Sequence, residues 1–234
     1  MSVRLERDGA VAVLTLDRPA RANAYDRAML EAFEQALDQA LADPEAGALL
    51  IQAAGDGAFC GGADLATLAD ARPEDALDLR SQALFERLAR APLVSVAAIH
   101  GAAVAGGFEL ALACDLRIGS PQARFSLPET ALGLIPSAGG CTRLARLAGP
   151  ARAKQLILGG LELDARSALD WGLLLALVPE PRQEGRALAR RIAGRDRLAL
   201  RLAKQVLDLG DTAASLQAER VAEALLYARR TRGS

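Results

Sequence analysis

Residues 103–115 read AVAGGFELALACD, an almost wholly apolar stretch in which two adjacent glycines are followed by a single carboxylate, Glu109. Burying a carboxylate is expensive unless it is paired, hydrogen-bonded or protonated. Glu109 is therefore either less buried than its neighbours suggest or kept in an apolar helix for chemistry. Just upstream, LVSVAAI (93–99) is an apolar run of strand length, HGAAVAGG (100–107) reads as a loop and FELALAC (108–114) as a helix. DLRIGS (115–120) is the next strand. A buried strand that turns into a helix through glycine is the unit from which α/β chains are built.

The same pattern extends in both directions. In VRLERDGAVAVLTLDRP (3–19) polarity alternates around Asp8-Gly9, which predicts a hairpin whose second strand Pro19 ends. DRAMLEAFEQALDQAL (26–41) sets Met29, Leu30, Phe33, Leu37 and Leu41 on one face of a helix capped by Asp26. GALLIQAAG (47–55) is a buried strand running into a second glycine-rich loop, GDGAFCGGADL (55–65). A helix follows Pro73 to about Ala91, ARFSLPET (123–130) is extended, and GLIPSAGGCTRLARLAG (133–149) passes from loop to helix. Helices are expected near 151–158, 165–171, 182–193, 197–209 and 212–230, so strand-helix units precede a helical last third.

Composition removes several function classes. The 234 residues carry a formal net charge of −1, leaving no field to recruit nucleic acid or an anionic membrane. The N-terminus has no apolar core of signal-peptide length, and the apolar runs are too short and glycine-broken to span a bilayer, so a cytoplasmic protein is expected. Cys60, Cys114 and Cys141 are odd in number and lack CxxC spacing, which points to small buried hydrophobes with no disulfide framework and no metal site.

The two glycine loops are not nucleotide motifs. Gly101 and Gly106 stand five apart, but Gly107 and Phe108 follow where a phosphate loop needs Gly-Lys-Ser/Thr, and neither loop contains GxGxxG. Alone, either loop reads as tight packing that only glycine permits. Together, two loops with free N–H groups near helix starts could hold one carbonyl oxygen between two amides, an oxyanion hole. A serine triad is the first rival, but the chain has one histidine, His100, and no GxSxG; IPSAG around Ser137 lacks the first glycine. His100 is expected to be structural, with its hydrogen bonds satisfied. What remains is a pair of carboxylates, Glu109 in the apolar helix and Glu129 after Pro128, whose environments would push their pKa values apart as acid and base roles require.

FCGGADL (59–65), VSVAAIHGAAVAGGFELALACDLRIGS (94–120), ARFSLPETALGLIPSAGGCTRL (123–144) and RPARANAYD (18–26) resemble the enoyl-CoA hydratase/isomerase (crotonase) family in order and spacing. The similarity runs from about Val3 to Val178 and includes ARSALDWGLLLALVPEP (165–181). It implies a crotonase-like α/β fold, a spiral of β-β-α units, with residues 1–178 as the acyl-CoA-binding core and 179–234 as a helical region used for trimerisation. By the resemblance Ala63 and Gly106 supply the two oxyanion N–H groups. Glu109 orients and deprotonates water for attack at C3 of a trans-2-enoyl-CoA, and Glu129 delivers a proton to C2. Arg21, Ala22 and Ala24 would contact the CoA nucleotide, with Gly62, Asp64, Leu65, Gly107 and Ser137 along the rest of the substrate. The implied reaction is hydration to a 3-hydroxyacyl-CoA in a homotrimer or hexamer, with no cofactor beyond the CoA of the substrate. A same-fold isomerase, decarboxylase or lyase and a non-catalytic acyl-CoA-binding subunit are the alternatives. The chain departs from the family at Ser137, often glycine, at His100, often asparagine, and at LLYARRTRGS (225–234), beyond which many relatives continue.

Overall fold

The computed structural model describes residues 2–64, 79–210 and 212–232. β1 (Val3–Asp8) and β2 (Val11–Leu16) form the expected hairpin, paired antiparallel from Val3–Leu16 to Asp8–Val11, with Gly9 in the left-handed conformation at the turn. Asp26 caps α1 (Arg27–Ala42) by accepting from the Met29 N–H at 2.8 Å. Met29, Phe33 and Leu37 are buried on its inner face, whereas Leu30 and Leu41 are only partly covered.

From β3 (Ala48–Ala53) onward the chain winds as a spiral. Each turn places one strand in a large sheet, one strand or bridge in a small sheet, and then a helix. β3 leads through Cys60, which bridges Ala103, towards α2 (Arg80–Ala89). β4 (Val94–Ile99) is followed by β5 (Ala102–Val104) and α3 (Gly106–Ala113). β6 (Leu116–Gly119) is followed by β7 (Arg124–Ser126), a 3-10 turn over Pro128–Leu132, and α4 (Gly140–Ala148). After α5 (Pro150–Ile157), the short β8 (Leu163–Asp164) joins the small sheet; α6 (Ala165–Asp170) and β9 (Ala176–Leu177) follow, β9 in the large sheet. The large sheet runs β1-β2-β3-β4-β6-β9, parallel except for β1, and the small sheet β5-β7-β8.

Two expectations need correction. The stretch 100–107 contains β5, and both Gly106 and Gly107 lie inside α3, so the loop is shorter than it reads. Three residues of strand are too few to show a period-2 pattern, and AAV carries none. Glu129 sits on a 3-10 turn and is not extended, because Pro128 occupies the first position of that turn, where its fixed φ suits a helical start. The part of the Pro73–Ala91 helix before Leu79 lies outside the described residues.

One face of the large sheet packs on α1, α2 and α3 through Leu14, Leu49, Ile51, Phe85 and Phe108. The alternate residues Val11, Val13, Ala48, Leu50, Val96 and Ala98 face α7 (Pro181–Ala193), which adds Ala189 and Ile192. Period-2 alternation over fully buried strands thus feeds two cores. α8 (Arg197–Asp208) is tied to the sheet by Lys204, only 8% exposed, whose Nζ donates to Asp115 Oδ2 at 2.8 Å; that oxygen also accepts from Ser95 N–H and Oγ. α9 (Ala213–Arg232) follows.

Asn23 pins the chain entering α1 to the loop after β3. It is 1% exposed, in the left-handed conformation, and its Nδ2 donates to the carbonyls of Ala54 (3.0 Å) and Ala58 (2.9 Å). Its Oδ1 accepts from Arg18 N–H at 2.9 Å. Asn23→Ala leaves two carbonyls and one N–H without their partner and puts alanine in a left-handed position. Denaturant titration should show a loss of about 2–4 kcal/mol; a change under about 0.5 kcal/mol, the usual size for an unimportant surface site, contradicts this account.

Candidate active site

The site forms where three turns of the spiral meet. Cys60 and Ala103 pair as parallel strands: Cys60 N–H donates to Ala102 O at 3.1 Å and Val104 N–H to Cys60 O at 2.9 Å. This lays the 60–63 loop beside 104–107. Gly107 is required there, since a Cβ would stand 2.1 Å from the Cys60 carbonyl oxygen. Gly62 has φ +88°, and a Cβ on it would lie 3.0 Å from Val104 O and 3.1 Å from Gly106 N.

On its other side the 60–63 loop pairs with residue 25. Tyr25 N–H donates to Gly62 O and Asp64 N–H to Tyr25 O, both at 2.8 Å, in a parallel bridge between Tyr25 and Ala63. These bonds use the groups flanking Ala63 and leave its own N–H directed the other way. Among the described residues neither the Ala63 nor the Gly106 N–H has an acceptor in the chain. Gly106 is the first residue of α3, where the dipole favours negative charge. Ala105 before it is strained, at φ 51° and ψ −128°, and is held there by its N–H to Ser126 O and by Phe108 and Glu109 N–H groups donating to its carbonyl.

Glu109 projects from α3 and is 3% exposed. Its Oε1 accepts from the Ala138 and Gly140 N–H groups, each at 2.8 Å, which fixes the carboxylate by one oxygen. Burial raises its pKa; the two amides and nearby Arg143 oppose that and favour the ionised form. Glu129 is half-buried, and its Oε2 is buried with no partner among the described residues. Burial chiefly, with the negative charge of Glu109, pushes its pKa up to about 7. Both carboxyls are therefore shifted upward, but Glu109 has two amides and a guanidinium favouring its charge, whereas Glu129 has a negative neighbour and titrates at about 7. Two carboxyls of unlike surroundings thus share the site, the condition under which acid and base roles separate.

The other expected residues are distributed around this centre. Arg21 and Ala22 are exposed on a 3-10 turn. The Ala22 and Ala24 carbonyls accept from Gly61 N–H (2.9 Å) and Arg18 Nη1 (2.8 Å). Asp64 pairs with Arg18 at 3.4 Å. Ser137 is placed by its carbonyl, which accepts from Gln82 Nε2 on α2 at 2.6 Å. Leu65 lies outside the described residues. Cys141 departs from expectation: it is only partly buried, at the start of α4, and feels the charge of both carboxylates. His100 departs too. Among the described residues both ring nitrogens lack partners, and burial together with Arg182 lowers its pKa to about 4.

A family model for enoyl-CoA hydratase/isomerase matches residues 6–232. The chain belongs to the enoyl-CoA hydratase/isomerase family. It is 34% identical to a short-chain-enoyl-CoA hydratase of Clostridium acetobutylicum over 95% of this chain and 88% of the relative. The crystal structure of an enoyl-CoA hydratase from Bacillus anthracis superposes with a TM-score of 0.91 at 34% identity, covering 96% of this chain and 90% of that one. Pseudomonas aeruginosa DspI gives a TM-score of 0.91 at 35% identity, covering 97% and 95%.

Tyr25, against Gly106, and Arg143, whose guanidinium meets Ala138 O and acts on Glu109, lie at this centre but escape a reading by motif. Tyr25 stands just before a helix cap and reads as a residue of the connection into α1, while Arg143 lies on a polar helix face. Only the fold turns them inward. The raised pKa of Glu129 has a stability consequence. The folded protein holds a proton there that the unfolded chain releases near pH 4.5, so this contribution is complete below that pH and lost as pH rises through about 7. Glu129→Gln should therefore stabilise the protein at pH 8 by roughly 1 kcal/mol, after discounting for solvent reaching a half-buried group, and leave it unchanged at pH 4. Calorimetric melting points of both forms across that range check this. An equal gain at pH 4 would remove the titration as its cause.

Proposed function

We propose that the protein is an enoyl-CoA hydratase that adds water reversibly, with syn geometry, to a trans-2-enoyl-CoA. The observation that carries this reading is the amide-held carboxyl of Glu109 with Glu129, whose pKa is pushed up to about 7, and two N–H groups that have no acceptor among the described residues. The thioester oxygen is held by the Ala63 and Gly106 N–H groups. Glu109 takes a proton from water as the water oxygen bonds to C3. The C2=C3 electrons move towards the carbonyl, giving an enolate whose charge the two amides stabilise. The enolate collapses as C2 takes the proton of Glu129. The proton gained by Glu109 then returns to Glu129, so the net change is one water added. The steps as written use no metal or redox group.

Arg21, Ala22 and Ala24 take the nucleotide end of CoA, and Gly62, Asp64 and Gly107 line the path towards the thioester. Residues 1–178 form the acyl-CoA-binding core and 179–234 the helical region through which three subunits, or a dimer of trimers, assemble. Apolar side chains left in water on α8 and α9 support that assembly: Leu207 is 79% exposed, and Leu216, Val221 and Leu225 more than half. No helix among the described residues is long and apolar enough to cross a membrane, and we place the protein in the cytoplasm.

Incubation with crotonyl-CoA, followed by loss of the conjugated-enoyl absorbance, tests the activity. Glu109→Gln should slow hydration by about 10²–10⁴, the range for a general acid–base group. Normal hydration by Glu109→Gln, with a 3-enoyl to 2-enoyl shift abolished by Glu129→Gln, would make the protein a one-base isomerase. Binding of short and long enoyl-CoAs without turnover would make it an acyl-CoA-binding subunit. Light scattering coupled to gel filtration should return a multiple of three subunits, and a 24.5 kDa monomer at micromolar concentration contradicts the assembly.

A further inference from the structure

Tyr25 touches both halves of the proposed oxyanion site. Its backbone pairs with Gly62 and Asp64 and so aims the Ala63 N–H. Its side chain crosses to the other half. A Cβ built on Gly106 would lie 1.9 Å from the Tyr25 hydroxyl oxygen and 2.7 Å from the ring carbon that bears it, so the phenol tip rests against Gly106 Cα. The ring is fixed by an edge-on contact with Phe85 of α2, centroids 6.0 Å apart at 89°. The hydroxyl of Ser81, also on α2 and buried, lies near the phenol oxygen and favours its ionised form. A packing role explains the ring but not the polar tip, which a phenylalanine or leucine would replace at lower desolvation cost.

We propose that the Tyr25 hydroxyl is a third hydrogen-bond donor to the thioester oxygen, beside the Ala63 and Gly106 N–H groups. The inference rests on the hydratase reading of the site. With the Ser81 hydroxyl donating to the phenol oxygen, the phenol proton is left for a second acceptor, and the phenol tip already lies against Gly106, the residue whose N–H would hold the thioester oxygen. Burial chiefly, with the carboxyls of Glu109 and Glu129 nearby, holds the phenol pKa far above its ordinary value, so the group stays a donor throughout the working pH range. The bond strengthens as the carbonyl becomes an enolate, because hydrogen bonds to an anion are shorter and stronger than those to a neutral oxygen. Tyr25 therefore acts on the transition state more than on substrate binding.

The test is Tyr25→Phe, which keeps the ring, its contact with Phe85 and the backbone pairing. Two measurements are made on the purified protein. Crotonyl-CoA hydration should show kcat lowered about tenfold or more, with KM within about threefold, the split expected of a donor used in the transition state. The CoA thioester of dimethylaminocinnamic acid reports carbonyl polarisation directly, since its absorption moves to longer wavelength as the carbonyl is polarised. Its red shift on binding should be smaller in Tyr25→Phe than in the wild type. Ser81→Ala, which frees the phenol to turn away, should move both readouts in the same direction by less, and it carries the test if Tyr25→Phe does not fold. An unchanged red shift overturns the proposal whatever happens to kcat, since the hydroxyl would then act on water or on packing. A wild type that binds the chromophore without any red shift overturns the oxyanion reading itself. A wild type that shifts the chromophore but hydrates nothing overturns the hydratase reading and leaves the Tyr25 bond measurable.

Discussion

The structure depends on the approach of two backbones. The Cys60 carbonyl lies where a side chain on Gly107 would have to be, and Gly62 abuts the 104–106 segment with no room for another carbon. Two successive turns of the spiral are thereby joined main chain to main chain. This contact, not any side chain, sets the 60–63 loop with Ala63 against the start of α3 at Gly106. Amides positioned this way need no rotamer to be frozen and no reorganisation when charge develops. Their cost is a local strain, visible at Ala105, that the hydrogen bonds around it absorb.

The carboxylates follow from the next turn of the same spiral. α3 starts at the contact and carries Glu109 one turn into its buried length; α4 starts where Ala138 and Gly140 present their amides to it. A carboxylate in an apolar helix is tolerable because two donors meet one of its oxygens. Glu129 is treated oppositely, with a buried oxygen that has no partner among the described residues and a negative neighbour, so its pKa is pushed up to about 7. The difference between the two residues is one of surroundings, since their chemistry is identical.

Away from the site, a few buried polar groups decide how the outer elements dock. Arg117, 6% exposed, gives its guanidinium to the carbonyls of Cys114 and Leu173, ending α3 and binding the segment before β9. Lys204 brings α8 to Asp115 at the edge of the same helix. Lys204 is matched by the Asp115 carboxylate and Arg117 by carbonyl oxygens, as burial demands.

Periodicity and capping chemistry settle much of this protein from its sequence. The Asp8-Gly9 turn, the Asp26 cap with its Met29–Phe33–Leu37 face, and the apolar runs of β3 and β4 are local patterns whose physics is complete within a few residues. The buried state of Glu109 is legible for the same reason, because no face of its helix is polar. Short elements are not legible: β5, β8 and β9 have two or three residues each and exist only because a neighbouring strand offers them hydrogen bonds. The 3-10 turn that carries Glu129 is hidden by a proline that suits extended chain as well as a helical start. Asn23, Tyr25 and Lys204 look like ordinary surface or boundary residues, since their partners are roughly 30 to 110 positions away. Tertiary structure alone decides them. A carboxylate's pKa, an N–H left without an acceptor and a hydroxyl against a glycine are properties of what surrounds a group, and in this chain the surroundings come from three different turns of a spiral.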